Sequence, residues 1–419
     1  MTDIPRSPLL FYSFSILFRV LLDVSYYFVI SDLFNYEGYA YDFTIEQYFI
    51  SWVLYLAAFV IVNWQLTKVS DYFFVTALLS VVAPITSLYG LDFERPIFPV
   101  VITVMSIYLV HFVARIKMIS FEDAPTVKYG REIAIVVSFG FVVFLTVWYF
   151  ISGVKLNIDL SRIYDFRYGN AEISTFGVLA YTNTWTFKIF NIFLMVFSLF
   201  YKRYYLFAIL VLVQTYFFAA SNHKTIFLLP FVVLGVWFYF RQTKSLIVVP
   251  IIYSVIILLT LISYFLYNDI WLTTLFSRRV FYVPAQLTFV YFDFFSMNAH
   301  VFWSNSILSK LLVYPYDLGV AQVVGRYLGN EYMSANNGYI SSGYANAGLY
   351  GVFLYSVIIG IILRFINDIS YNELPVWLAV ALTIVPLRDL LISSDLLTVM
   401  LTHGLLVAII LMYLSRKES

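Results

Sequence analysis

The chain has 419 residues, of which 62% are hydrophobic and only 12% charged, with a formal net charge of +1. A soluble domain carries roughly 25% charged residues, so this balance reads as a polytopic membrane protein, and near-neutral charge without a Lys/Arg block excludes a nucleic-acid partner. The chain has no cysteine, which removes disulfides, thiolate metal sites and thiol nucleophiles; its histidines (His111, His223, His300 and His403) are scattered, so no metal centre is expected.

A helix needs about 20 apolar residues to cross the hydrocarbon core, so the length allows about twelve spans in one integral, all-α domain over residues 1–419. Apolar runs predict helices near 8–31, 45–65, 70–89, 96–115, 131–152, 174–200, 203–220, 224–240, 245–267, 346–366, 374–393 and 396–414. The first starts within ten residues of Met1, outruns a signal-peptide core and shows no small-residue cleavage site. It therefore reads as a retained helix. Within it Arg19 and Asp23 lie four apart, on one face, where they neutralise each other at membrane depth. No internal repeat is visible, which counts against an inverted-repeat transporter.

Lys and Arg set the orientation, because cationic short loops stay in the cytoplasm. With the N-terminus inside, cytoplasmic loops hold Lys68, Arg115, Lys117, Lys128, Arg131, Lys202, Arg203, Arg241, Lys244, Arg364, Arg416 and Lys417. The first outer loop holds Asp32, Glu37, Asp42 and Glu46 with no cation, and the second has Arg95 beside Asp92 and Glu94. Both termini are expected in the cytoplasm.

Two outer loops depart from this pattern. The loop at 153–174 carries Lys155, Arg162 and Arg167 with Asp159 and Asp165, and the large loop at 268–346 carries Arg278, Arg279, Lys310 and Arg326. Long translocated loops are exempt from the charge rule. The adjacent Arg278 and Arg279 are more informative, since two guanidiniums near an interface repel unless an anion sits between them. A lipid diphosphate is such an anion, and the planar fork of Arg matches phosphate oxygens bidentately. The turn Ser221–Thr225 places His223 and Lys224 at the head of a helix, where free N–H groups and a cation together favour an anion, although a solvated polar turn reads the same way. Asp293 lies in the apolar run Val290–Phe295, where partial burial is expected to raise its pKa.

From Asn336 the chain reads Asn-Asn-Gly-Tyr-Ile-Ser-Ser-Gly-Tyr-Ala-Asn-Ala-Gly-Leu-Tyr-Gly-Val. Asn337-Gly338 favours a tight turn with positive dihedrals, and the small residues beyond it let a helix pack closely. The pieces Asn337-Gly338, Tyr344-Ala345-Asn346-Ala347-Gly348 and Gly351-Val352 resemble the loop-to-helix segment of Wzy-type O-antigen polymerases. Ser221–Thr225 is similar to the lysine-bearing turn of those proteins, with Lys224 in the lysine place, and Asp159–Arg167 resembles their arginine-bearing third outer loop. The chain departs from the family where an acid commonly precedes the Tyr-Ala-Asn segment, since Ser342-Gly343 stands there. The family's Arg-x10-Gly pattern is also not kept, because Arg167 precedes Gly177 by nine intervening residues and Arg326 precedes Gly338 by eleven.

The resemblance implies a GT-C-like helical bundle of about twelve spans in the bacterial inner membrane, with a periplasmic active site. It implies polymerisation of undecaprenyl-diphosphate-linked oligosaccharide repeats by glycosyl transfer, with no cofactor. Its partners would be the lipid-linked oligosaccharide, the bilayer and a chain-length regulator protein. Charge developing on the departing phosphate needs cations, for which Arg278, Arg279, Arg326, Arg162, Arg167 and Lys224 are the candidates, with Asn337 and Tyr344 as further substrate contacts. The acceptor hydroxyl needs a base; Asp293, His300 and Glu331 lead the candidates, with Asp317, Asp159 and Asp165 behind them. An O-antigen ligase, which commonly carries a loop histidine that only His300 could supply, and a lipid-linked oligosaccharide flippase or other transporter are the alternatives.

Overall fold

The computed structural model describes residues 8–117, 120–122, 124–159, 177, 179–371 and 373–416. Helices dominate, and among the described residues the only extended pairings are two isolated bridges, Asp42 with Asp92 and Gln65 with Ser245. The apolar runs become α1 (Pro8–Leu33), α2 (Ile45–Ala58), α3 (Val69–Leu91), α4 (Ile97–Arg115), α5 (Gly130–Ile151), α6 (Leu179–Phe200), α7 (Tyr204–Ser221), α8 (Lys224–Phe240) and α9 (Val248–Tyr267). The segment expected to be loop then folds as α10, formed by the wide π-helical stretch Thr273–Tyr282 running directly into Val283–Met297, and the short α11 (Val320–Tyr327). The chain closes with α12 (Tyr339–Ser370), α13 (Val376–Ile392), α14 (Leu396–Leu401) and α15 (Leu405–Leu414).

Among the described residues eight helices, α1, α3, α4, α5, α6, α7, α9 and α12, are long and apolar enough to cross a membrane. This is the composition and helix length of a polytopic helical membrane protein. The run expected as one span at 396–414 is divided by Gly404, whose φ of 82° ends the helical path between α14 and α15. Inside the expected loop, α10 forms because its residues from Pro284 to Phe295 are apolar or aromatic apart from Gln286, Thr288 and Asp293, and all but Asp293 are buried; a helix that is apolar on nearly every side belongs in an interior.

The chain divides into two compact units. The first comprises Met1–Met118, Ser245–Arg364 and Arg388–Leu396. Its centre is α3, buried along almost its whole length and packed by α1, α2, α4 and α10. In the second unit, Ile119–Lys244 with Phe365–Leu387 and Leu397–Ser419, α6 is the buried element and α5, α7 and α8 pack on it. There Phe141 of α5 stacks flat on Phe190 of α6, with centroids 4.5 Å apart.

A buried polar cluster ties α1, α2, α3 and α10 together in the first unit. Arg19 and Asp23 form the expected ion pair, and the rest of their hydrogen-bonding capacity is also used. Ser87 and Tyr48 donate to the Asp23 carboxylate at 2.6 and 3.0 Å, while Arg19 reaches Ser51 at 3.2 Å and lies over the Trp52 ring. Tyr282 of α10 donates to the Leu22 carbonyl at 2.7 Å and lies 3.1 Å from the Ser87 hydroxyl. A charged pair at this depth persists because each atom that water would solvate has a protein partner.

Candidate active site

Two short connections in the first unit are stitched together before they meet α10. Asp42 N–H donates to the Leu91 carbonyl and Phe93 N–H returns to the Asp42 carbonyl, at 3.1 and 2.9 Å. Arg95 then pairs with Asp92 at 2.7 Å, donates to the Gly38 carbonyl and lies 5.4 Å from the centre of the Phe289 ring of α10. Three sides of this guanidinium are therefore occupied by a carboxylate, a carbonyl and an aromatic face.

These connections and α10 enclose a cavity of about 520 Å³, within the range of small-molecule sites. Asp92, Glu94, Arg95 and Asp293 are its charged lining, and Phe292 and Tyr344 are among its aromatic walls. Asp293 faces outward from an otherwise buried helix, with Phe292 and Phe294 only 3% and 7% exposed on either side. The partial burial expected of it is absent, because the helix turns its apolar neighbours inward and leaves the carboxylate at the cavity. Tyr327 donates a 2.6 Å hydrogen bond to Asp293 Oδ2. That bond to the carboxylate is the main reason the Tyr327 hydroxyl is held above its ordinary pKa.

The Asn/Gly stretch contributes Tyr344 to the wall. Tyr344 stacks on Phe292 with centroids 3.9 Å apart and planes 10° from parallel. Three residues further on, α12 breaks at Ala347 (φ −152°, ψ 34°) and Gly348 (φ 58°, ψ −140°). A break strands carbonyl oxygens, and the segment after His300 satisfies them. Val301 and Phe302 N–H donate to the Ala345 and Asn346 carbonyls at 3.0 and 2.8 Å, and Trp303 N–H reaches Asn346 Oδ1 at 3.0 Å. Phe302 and Trp303 do this with φ of 50° and 56°, left-handed backbone that is strained for aromatic residues. Trp303 Nε1 also donates to the Tyr355 hydroxyl, which donates to Asp395 Oδ2, each at 2.7 Å. His300 is held between these parts: its ring is edge-on to Tyr344, and Nε2 is 3.2 Å from where a Cβ on Gly348 would lie. Its Nδ1 is buried without a hydrogen-bond partner.

Of the residues singled out in the sequence, Asp293 and Tyr344 line the cavity, and His300 packs against Tyr344 without belonging to its lining. Arg278 is instead committed internally, with Nε donating to Glu37 Oε2 at 2.8 Å and the guanidinium 4.7 Å from the Phe34 ring centre. Arg279, its neighbour on the π-helical turn, is exposed. The pair does not form a shared grip through Arg278, because the acid that neutralises it comes from the chain itself. Arg326 pairs with Asp317 at 3.0 Å at the surface; this bond holds the Asp317 carboxyl below the usual range. Glu331 is exposed and lies outside the cavity lining.

Asn337 is buried, with its amide nitrogen within 3.1 Å of the Pro284 carbonyl and the Thr288 and Ser341 hydroxyls. It clamps α10 to the start of α12. Gly338 does not take the expected positive φ. It is glycine for a different reason: a Cβ there would lie 2.0 Å from the Leu391 carbonyl oxygen.

In the second unit, Lys224 opens α8 after Asn222, which is left-handed at φ 55°. Asn157 docks on that turn, its N–H donating to the Ala219 carbonyl at 2.9 Å and its amide to Asn222 Oδ1 at 2.8 Å. The loop that carries Asp159 is thus pinned beside the Lys224 turn. Arg162, Asp165 and Arg167 lie outside the described residues.

Sequence reasoning did not place Asp92, Glu94 and Arg95 in a site. Their signal was present, three charges within four residues of an apolar chain, but the partners that give them meaning are Gly38 and Phe289. No protein-family model, no curated protein and no solved structure matches the chain.

Proposed function

We propose that the chain is a membrane glycosyltransferase that transfers an oligosaccharide from a polyprenyl diphosphate to a hydroxyl of a second lipid-linked repeat, extending an O-antigen-type polysaccharide. The observation that carries this reading is the cavity walled by the Asp293 carboxylate and the stacked Phe292–Tyr344 pair. Sugars present hydroxyl donors and apolar ring faces, which a carboxylate and an aromatic plane complement. The resemblance of the Asn337–Val352 stretch to Wzy-type polymerases supports the same reading, as do helices fit for a bilayer; about twelve crossings, a GT-C-like bundle, cytoplasmic termini and a periplasmic site in the bacterial inner membrane belong to it.

In this reading Asp293 is the base. Tyr327 occupies Oδ2 and leaves Oδ1 to accept the proton of the attacking hydroxyl. The new bond joins that oxygen to the anomeric carbon; the carbon–oxygen bond to diphosphate breaks and its electron pair leaves on the phosphate oxygen. Arg278 is structural, being committed to Glu37. Deletion of the gene, read on a ladder gel of the cell's polysaccharide, tests the assignment: a single-repeat product supports it, and an unchanged ladder contradicts it.

A ligase is the second reading, favoured by His300. Its imidazole touches both Tyr344 and the α12 break, and Nδ1 has no partner. A ligase deletion leaves no polysaccharide attached to its final acceptor, which separates the two.

A further inference from the structure

We propose that the cavity selects its sugar by charge, accepting neutral or amino-bearing sugars and rejecting acidic ones such as uronates; this rests on the reading of the cavity as the acceptor site. Four charged side chains line it, and three are carboxylates: Asp92, Glu94 and Asp293. The single cation, Arg95, is already paired with Asp92 at 2.7 Å, donates to the Gly38 carbonyl and is covered on one face by Phe289. Its charge is balanced inside the wall.

What remains to face a ligand is Glu94 and Asp293, both exposed. Glu94 uses its backbone N–H to reach Asp92 at 3.3 Å, which holds its residue at the cavity rim. Asp293 receives a neutral phenol from Tyr327, a bond that leaves its negative charge in place. The remaining lining is apolar or uncharged, including Phe98, Phe292 and Tyr344. The uncharged walls supply no cation to offset the two carboxylates, so the local field in the cavity is negative. A sugar carboxylate would enter against both, whereas an ammonium or a hydroxyl would be attracted.

The test uses the full-length protein in nanodiscs and saturation-transfer NMR titrations with methyl glycosides of glucosamine, N-acetylglucosamine and glucuronic acid at pH 7. The glucuronide is expected to bind at least about tenfold more weakly than the glucosaminide, like charges in juxtaposition being strongly unfavourable. The difference should shrink in high salt and collapse in the Glu94→Gln/Asp293→Asn double variant. The salt titration is made on the unaltered protein, so it decides the matter if the variant does not fold. Glucuronide binding as tight as glucosaminide binding overturns charge selection but leaves the cavity a sugar site. Binding of none of the three overturns both.

Discussion

Arg278 Nε lies 2.8 Å from Glu37 Oε2, and this bond crosses 241 positions of sequence to fix the π-helical start of α10 against the connection after α1. It separates two adjacent arginines into different roles. Arg278→Ala should lower stability by about 1–2 kcal/mol, the sum of a partly buried ion pair and a cation–π contact with Phe34, and Glu37→Gln should reproduce most of that loss. Arg279→Ala, at an exposed position, should leave the melting temperature in detergent unchanged. Equal melting temperatures for the two arginine variants would remove the distinction.

The break in α12 needs glycine at 348. Any side chain there meets backbone at φ 58° and ψ −140° and the His300 ring at 3.2 Å. Gly348→Ala is expected to cost about 1–3 kcal/mol. It should also shift the Trp303 environment, because the segment bearing Trp303 caps the broken end. Thermal unfolding with tryptophan fluorescence reads both.

The Arg19–Asp23 cluster predicts an asymmetry. Asp23→Ala leaves Arg19, fully buried, without its counter-charge and should destabilise by about 3–5 kcal/mol. Replacing both residues by apolar side chains of similar volume should recover a large part of that loss. A double-mutant cycle on folded protein in detergent measures the difference; additive losses would contradict the coupling.

Asp293 should behave as a chemical group, since it is exposed on a helix whose packing uses the opposite residues. Asp293→Asn is expected to keep the melting temperature and lower the transfer rate by about 10²–10⁴. Tyr327→Phe removes only the hydrogen bond to Oδ2 and should have a smaller effect on rate. A full rate in Asp293→Asn would remove Asp293 as the base.

The helices were legible because apolar runs near 20 residues leave little choice of structure, and the boundaries of α4, α7 and α8 shifted by no more than a residue or two. The Arg19–Asp23 pair was legible for a related reason, its spacing of four being local. α10 was hidden because its π-helical start carries Arg278 and Arg279, which read as loop when Glu37 and Phe34 are unseen. The cavity was hidden for the same cause: Asp92, Glu94 and Arg95 acquire meaning only when Gly38, Phe289 and Asp293 come to them from distant positions. Gly338 shows the limit of local rules, since its requirement comes from the Leu391 carbonyl and not from a turn dihedral.

Glycosyl transfer from a lipid diphosphate can be watched in a reconstituted system. The purified protein in nanodiscs is given the lipid-linked repeat unit extracted from cells lacking the gene. A ladder of longer lipid-linked chains is expected, with one polyprenyl diphosphate released per repeat added, and no ladder with Asp293→Asn. Folded, unaltered protein that leaves the single repeat unextended and releases no polyprenyl diphosphate would contradict it.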